Sequence, residues 1–96
     1  MKKFQAIIHF EMDGEFMSLI PPHRTYINYL INKHIIDSYA VSMESQTVWI
    51  TINASTKKQV DEYISKAPLV KYWTYTIEEL FVYDGQLFRF PSLELN

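Results

Sequence analysis

The segment from residue 68 to 81 constrains the fold most, because it joins a helix terminator to an alternating aromatic pattern. Pro68 ends any preceding helix, since its ring clashes with the previous turn and it donates no backbone hydrogen bond. The residues that follow are mostly aromatic or β-branched, which is typical of strands. Their alternation separates Trp73, Tyr75 and Ile77 from an opposite set, namely Tyr72, Thr74, Thr76 and Glu78. The pattern predicts a central strand with one core face and one amphipathic face.

The remaining elements follow from hydrophobic periodicity. Alternation predicts strands over residues 4–12, 36–43 and 47–53, the last two forming a hairpin. Apolar residues at helical spacing predict helices over residues 22–33 and 56–67, and Thr56 with Gln59 has the spacing of a capping box. In the first helix the predicted stripe of the amphipathic helix is Ile27, Leu30, Ile31 and His34. Residues 16–20 are too apolar for a free loop and predict a flap, and residues 86–90 predict a fifth strand or a docking tail.

Size and composition narrow the class of protein. The 96 residues predict one domain spanning residues 1–96, and 16% aromatic residues exceed what one small core needs, so some should line a ligand site or a subunit contact. The net charge of −2 and scattered basic residues argue against nucleic acid as a partner. The chain has no cysteine, which excludes disulfides and thiolate chemistry. We read neither a signal peptide nor a membrane span, and we expect a cytoplasmic protein.

The order β-α-β-β-α-β predicts an α+β, ferredoxin-like fold, a four-stranded antiparallel sheet with both helices on one face. On the third strand Val48, Ile50 and Ile52 should face the helices, which turns Trp49 to the open face. A face that carries Ile7, Trp49 and Tyr72 is too apolar to stay in water. We therefore expect a second copy of the chain to cover it, which gives a homodimer with enclosed cavities. Such dimers could assemble further into a larger oligomer.

These elements resemble a known family. The helix HRTYINYLINK, the strand pair IIDSYAVSMESQTVWITINA, the helix TKKQVDEYISKA and Pro68-Leu69 before Tyr72-Trp73 are similar to the muconolactone delta-isomerase-like group of the dimeric α/β barrel superfamily. The similarity covers residues 4–81. It implies a cytoplasmic homo-oligomer built from barrel-forming dimers and a proton-shifting isomerisation of an unsaturated lactone.

The chain also resembles, more distantly, the YciI-like proteins of the same superfamily. These proteins pair a histidine at the start of the first helix with an aspartate just before the proline that opens the last strand. His23 occupies the histidine position, whereas Ala67 replaces the aspartate, so the pair is broken in this chain. From its position alone, we expect His23 to be a solvent-facing or capping residue more often than a catalyst, and we keep it as a substrate-binding candidate.

His9 and Glu11 are the candidate catalytic pair. They lie two residues apart on one strand and so point to the same face, where they could donate and accept a proton on one substrate. The alternative interpretation is that both are polar residues hydrogen-bonded across a dimer interface, and residue type and spacing favour this structural role.

The other candidate substrate-binding residues would complete a cavity on the same face. They are Trp49 and Tyr72 as stacking platforms, Thr74 and Glu78 as polar lining, and Tyr39, whose strand does not reveal its inward face. Trp49 could equally fill an interface core, and the threonines could simply be good strand formers. Arg24, Lys71 and Arg89 are the cations near the expected cavity ends. The histidines show no metal-ligand spacing and no phosphate-binding motif occurs, so we predict neither metal nor cofactor.

Two hypotheses of function follow. In the first, the chain is a cofactor-free enzyme that binds a small cyclic or unsaturated acid between the sheet and the first helix and isomerises it by proton transfer. In the second, it is a non-catalytic small-molecule-binding or structural homodimer of the same fold. Substitution of His9 or Glu11 separates them, because only the first predicts a loss of turnover in a folded protein.

Overall fold

A computed structural model describes residues 1–85. The elements are β1 (Lys2–Phe10), α1 (Ile20–Asn32), β2 (Ile36–Ser42), β3 (Thr47–Ala54), α2 (Lys57–Ser65) and β4 (Trp73–Glu79). The four strands form one antiparallel sheet in the order β2-β3-β1-β4. This confirms the ferredoxin-like βαββαβ fold. The strand or tail predicted over residues 86–90 lies outside the described residues.

The core lies between the sheet and the two helices. Strand alternation turns one set of side chains toward the helices, and the largest fully buried ones among them are Phe4, Ile8, Ile50 and Ile52. The helices contribute Ile27, Leu30, Val60 and Ile64. Trp49 turns to the open face, as predicted, and is 37% exposed. The α1 stripe differs from the predicted one, because His23 is buried with Ile27 and Leu30, whereas Ile31 and His34 are exposed.

The apolar segment before α1 folds onto the core, as its composition predicted, and Phe16, Leu19 and Ile20 anchor it there. Phe16 is buried and its ring stacks on that of Phe10 with the centroids 5.4 Å apart. This contact folds the chain back after β1, which ends two residues earlier than predicted. A 3₁₀ turn over Met17–Leu19 then leads directly into α1.

The last strand differs from its prediction in place and in length. β4 lies at the edge of the sheet beside β1, so it is not a central strand. It begins at Trp73, because the N–H of Val70 bonds the carbonyl of Ala67 and the N–H of Tyr72 bonds that of Leu69, which makes two turns before the strand. Tyr72 therefore ends a 3₁₀ turn and is not a strand residue on the open face.

Side chains and backbone geometry fix the helix ends. The Thr56 hydroxyl accepts a hydrogen bond from the N–H of Gln59 at 3.1 Å, which confirms the predicted cap of α2. At the end of α1, the N–H of His34 bonds the carbonyl of Ile31 and the N–H of Ile35 bonds that of Leu30. This is the Schellman arrangement, in which the residue after the cap takes a left-handed conformation. His34 does so with φ 62°, in a position that favours glycine.

None of the helices within residues 1–85 is long and apolar enough to cross a membrane.

We predict that His34→Gly stabilises the protein. Glycine adopts positive φ without the steric contact between Cβ and the carbonyl oxygen that other residues make, so the substitution removes strain from the folded state. Glycine also raises the entropy of the unfolded chain, but the relief of strain exceeds this cost by about 0.5 kcal/mol. Chemical unfolding monitored by circular dichroism measures the difference. Asn28→Gly, in the interior of α1, is the control and should lower the free energy of unfolding. A loss of stability in both variants would contradict the account of this helix end.

Candidate functional site

A cavity of about 200 Å³ lies between the start of α1 and the helix-facing side of the sheet. We call it the His23 cavity. Its lining from the segment before α1 and from α1 itself is Phe16, Met17, Ile20, His23 and Arg24. The sheet and its adjoining loops supply Phe10, Met12, Tyr39, Val41, Met43, Val48, Leu69 and Trp73. Most of these side chains are apolar, so the few polar groups in the wall decide what chemistry the cavity can perform.

His23 is the most unusual of these polar groups. It is only 2% exposed, and its Nε2 atom lies 2.8 Å from the hydroxyl oxygen of Tyr39. Its ring also meets that of Trp73 edge-on, with the centroids 5.2 Å apart. The expectation that His23 faces solvent or caps the helix is therefore wrong. The histidine belongs to the core stripe of α1, one turn before Ile27.

Burial sets the protonation state of the histidine. Desolvation, with a smaller contribution from the positive charge of Arg24, lowers the pKa of His23 from 6.5 to about 4. Burial likewise raises the pKa of Tyr39 to about 12, although Arg24 opposes the shift. Near neutral pH the pair is therefore an uncharged imidazole hydrogen-bonded to an uncharged phenol.

Two buried nitrogen atoms in the same wall have no hydrogen-bond partner among the described residues, namely Nδ1 of His23 and Nε1 of Trp73. Leaving a buried polar atom unsatisfied costs about 1–3 kcal/mol, so native structures contain few of them. Both atoms belong to residues that line the cavity. The two atoms therefore have hydrogen-bonding capacity that the described residues leave unused.

The hydrogen bond between His23 and Tyr39 is compatible with both tautomers of the imidazole, and Nδ1 has a different role in each. If Tyr39 donates to Nε2, then Nδ1 carries the hydrogen and is a donor. If Nε2 donates to the Tyr39 oxygen, then Nδ1 is an acceptor and the phenol hydrogen is free for another partner. A switch of the tautomer thus converts Nδ1 between proton acceptor and proton donor, which is the property that a proton-transfer site requires.

The loop after β1 closes one side of the cavity, and Tyr72 holds it in place. The Tyr72 hydroxyl accepts a hydrogen bond from the N–H of Glu15 at 2.9 Å, and its ring meets Phe16 edge-on. Gly14 has φ +55°, and a Cβ there would lie 3.2 Å from the Tyr72 hydroxyl oxygen. Tyr72 therefore supports the wall of the His23 cavity through Phe16 and does not itself line it.

A second cavity, of about 560 Å³, opens at the same end of the sheet, and we call it the polar end cavity. Here the structure brings together four of the predicted site residues, His9, Glu11, Tyr72 and Thr74. His9 and Glu11 are exposed, and Nδ1 of His9 lies 3.3 Å from the Thr47 hydroxyl. Phe10 and Trp73 line both cavities and separate them.

Of the other predicted site residues, His23 and Tyr39 meet in the His23 cavity, whereas Trp49 and Glu78 line neither cavity. Tyr39 pairs with Ile50 and so shares the helix-facing side of the sheet, whereas Trp49 lies on the open face opposite Ile7. Glu78 is exposed opposite Gln5, on β4, and lines neither cavity. The expected single cavity is thus divided, with His23 and Tyr39 on one side of the sheet and the His9 group at the end of the other.

The candidate cations are divided in the same way. Arg24 lines the His23 cavity, with its guanidinium carbon 5.4 Å from the centroid of the Tyr39 ring. Lys71 lines the polar end cavity, and Arg89 lies outside the described residues. Within residues 1–85, no group of three or more histidine, aspartate or glutamate side chains could hold a metal ion.

The burial of His23 was not predicted from the sequence, because the predicted stripe of α1 began one turn too late. A helical stripe that starts at residue 23 and continues through 27 and 30 has the i, i+4, i+7 spacing of a buried face. A histidine at its first position would then have been predicted to face the sheet. The methionines around the cavity gave no signal, since they lie on three separate segments.

Comparison with known proteins supports the fold alone. Neither a protein-family model nor a curated protein matches the sequence. Among solved structures, the chain is similar to the 5-chloro-2-hydroxyhydroquinone dehydrochlorinase TftG of Burkholderia phenoliruptrix, in complex with 2,5-dihydroxybenzoquinone. The TM-score is 0.57 at 14% identity, over 78% of this chain and 90% of the other. At this identity the similarity supports the ferredoxin-like fold and neither a superfamily nor the muconolactone isomerase group within one.

We predict that His23 makes the stability of the protein fall in mild acid. The unfolded imidazole takes up a proton near pH 6.5, whereas folded His23 does so only near pH 4. Between these two pH values the unfolded state binds more protons than the folded state. The free energy of unfolding therefore decreases by up to about 1.4 kcal/mol for each unit by which the pH is lowered. Urea unfolding at pH 7, 6 and 5 measures this slope.

His23→Gln should lose that part of the slope, while His9→Gln, which removes an exposed histidine, should keep it. Equal slopes in the native protein and in His23→Gln would show that His23 titrates normally.

Proposed function

We propose that the protein binds a small, planar, cyclic acid in the His23 cavity and transfers a proton to or from it without a cofactor. The observation that carries the proposal is the uncharged, almost fully buried imidazole of His23, hydrogen-bonded to Tyr39 in the wall of an apolar cavity. Perturbed ionisable groups that line a cavity mark functional sites more often than chance, because chemistry requires tuned proton affinity.

The size of the cavity favours a single ring. Apolar cavities of about 150 Å³ hold benzene, so the volume of about 200 Å³ here accommodates one ring with small substituents. The structurally similar dehydrochlorinase was solved in complex with 2,5-dihydroxybenzoquinone, which is also a single substituted ring. A shared fold does not transfer chemistry, but it does provide similar places for a ligand.

The polar residues have separate roles in the proposal. Arg24 attracts the acidic group of the ligand. The Nδ1 atom of His23 takes a proton from carbon or oxygen of the ring compound, and the resulting anion accepts a hydrogen bond from the Tyr39 hydroxyl. The imidazolium then returns the proton to a different atom of the same ligand, which leaves the enzyme unchanged and the ligand isomerised.

The low proton affinity of His23 is matched to an anionic ligand. A base whose pKa is about 4 is weak at neutral pH when the cavity contains no charge. A negative charge within a few ångströms favours the imidazolium and raises its pKa. Binding of the acid would thus activate the histidine only when the substrate is present.

The specific reaction that we propose to test first is the isomerisation of an unsaturated lactone acid of the muconolactone kind. In this assignment His23 and Tyr39 replace His9 and Glu11 as the proton-transfer residues. The alternative is a protein that holds such a ligand without converting it. It is favoured by the part of the wall that residues 1–85 form, which apart from His23, Arg24, Tyr39 and the Trp73 indole consists of hydrocarbon and thioether groups.

We further propose that the open face of the sheet pairs with that of a second copy. The cross-strand partners Ala40, Trp49, Ile7 and Thr76 form a row across all four strands, and the tryptophan at its centre is partly exposed. Apolar surface at the middle of an uncovered sheet favours burial against another subunit. The polar end cavity would then lie at the margin of the dimer interface.

Proton exchange tests the catalytic proposal without knowledge of the product. Muconolactone and related unsaturated lactone acids are incubated with the protein in D₂O, and loss of the signals of carbon-bound hydrogens is followed by proton NMR. We expect His23→Gln to slow the exchange by about 100-fold or more, since a general base contributes at least that factor. Tyr39→Phe should slow it less, because the imidazole remains.

His9→Ala and Glu11→Gln are the controls, since both residues are exposed and lie outside the His23 cavity. Loss of exchange in these variants, with His23→Gln active and folded, would return catalysis to the pair first predicted. Tight binding of the acids without exchange in the native protein would favour the non-catalytic alternative.

The dimer is tested by sedimentation velocity on the native protein and on Trp49→Glu. A charge at the centre of the open face should convert a dimer to a monomer, because burying it unpaired costs several kcal/mol. Tyr29→Glu, an exposed aromatic residue on α1, is the matched control and should leave the dimer intact. A native protein that sediments as a monomer at all concentrations tested would rule out this assembly.

A further inference from the structure

We infer that the ligand of the His23 cavity carries an apolar extension beyond its ring, and that methionine side chains select it. This inference rests on the proposed function, because it names the class of ligand for the same cavity. It starts from a difference in exposure along the lining, since His23 is almost fully buried, whereas the methionines that line the same cavity are exposed.

One part of the lining is polar. Tyr39 bonds His23, and the guanidinium of Arg24 lies over the same tyrosine ring, so these three side chains form one cluster. From Tyr39 the helix-facing residues of β2 continue through Val41 toward Met43, just beyond the strand. A strand rises about 3.3 Å per residue, so Met43 lies roughly 13 Å along the chain from Tyr39.

Another part of the lining is formed by exposed apolar side chains. Met12, Met17, Val41 and Met43 line the cavity and are 40%, 64%, 47% and 59% exposed. They come from the loop after β1, the turn before α1 and the end of β2. We call them the methionine end. Large apolar side chains gathered at the opening of a cavity are typical of a binding surface, and methionine adapts to ligands of varied shape.

These dimensions determine the class of ligand. A single ring whose acid group reaches Arg24 and His23 is shorter than the path to Met43, so the ring alone leaves the methionine end uncovered. A ligand that also covers these side chains needs an alkyl or similarly apolar substituent opposite its acid group. Among residues 1–85, Met12, Met17, Val41 and Met43 bring no charged side chain to that part of the wall that could bind a polar substituent.

The test is a titration of the protein with benzoate and its 4-methyl to 4-butyl derivatives, followed by calorimetry. Affinity should rise with each added carbon, by up to about fourfold for a fully buried methylene. In the double variant Met17→Ser, Met43→Ser this rise should flatten, while the affinity for benzoate stays within twofold. Val82→Ser, an exposed apolar residue outside the cavity, is the control and should keep the rise.

Arg24→Gln provides a second comparison, because it should weaken all the benzoates equally and leave the dependence on chain length unchanged. Binding of benzoate with no gain from the alkyl chain would overturn the inference and leave the proposed function standing. The inference would also be overturned, and the proposed function would stand, if the double variant kept the full gain in affinity. A double variant that changed only the oligomeric state would overturn it too, because the methionine end would then be a subunit contact. Absence of binding by every acid would overturn the proposed function and this inference together.

Discussion

The two-residue period of the strands is the constraint on which the rest of the structure depends. It directs Phe4, Ile8, Ile50 and Ile52 toward the helices, where they form the core. The same alternation leaves Trp49 on the opposite face with His9 and a row of polar side chains. A sheet covered by helices on one side only thus has two surfaces of different chemistry, and each ends in its own cavity.

The closeness of the two cavities follows from the chain path. β1 ends and β4 begins at the same end of the sheet, where Phe10 and Trp73 are partners and separate the apolar cavity from the polar one. On the apolar side, the helix start contributes an imidazole that burial keeps uncharged. On the polar side, His9 and Glu11 remain exposed. Burial, more than residue type, therefore distinguishes the two histidines.

The sequence was sufficient to predict the fold, since alternation, helical spacing and the Thr56 cap are local signals. It was not sufficient to predict the site, which depends on how elements are placed against each other. Tyr39 could face either way, and only its pairing with Ile50 puts it beneath α1. Tyr72 was assigned to β4 because strand composition does not reveal the two turns that precede Trp73. The predicted pair His9 and Glu11 lies on the open face, because spacing alone selected it, whereas the buried hydrogen bond between His23 and Tyr39 lies on the other.

The central claim is that His23 is a buried, uncharged imidazole joined to Tyr39, and the ¹⁵N chemical shifts of its ring test this most directly. A pH titration of selectively labelled protein, with His23→Gln used to assign the signals, reports protonation at each nitrogen. The structure predicts that His23 stays neutral down to about pH 4, and that Tyr39→Phe changes the balance of its two tautomers. A His23 signal that titrates near pH 6.5 and ignores Tyr39→Phe would contradict the account.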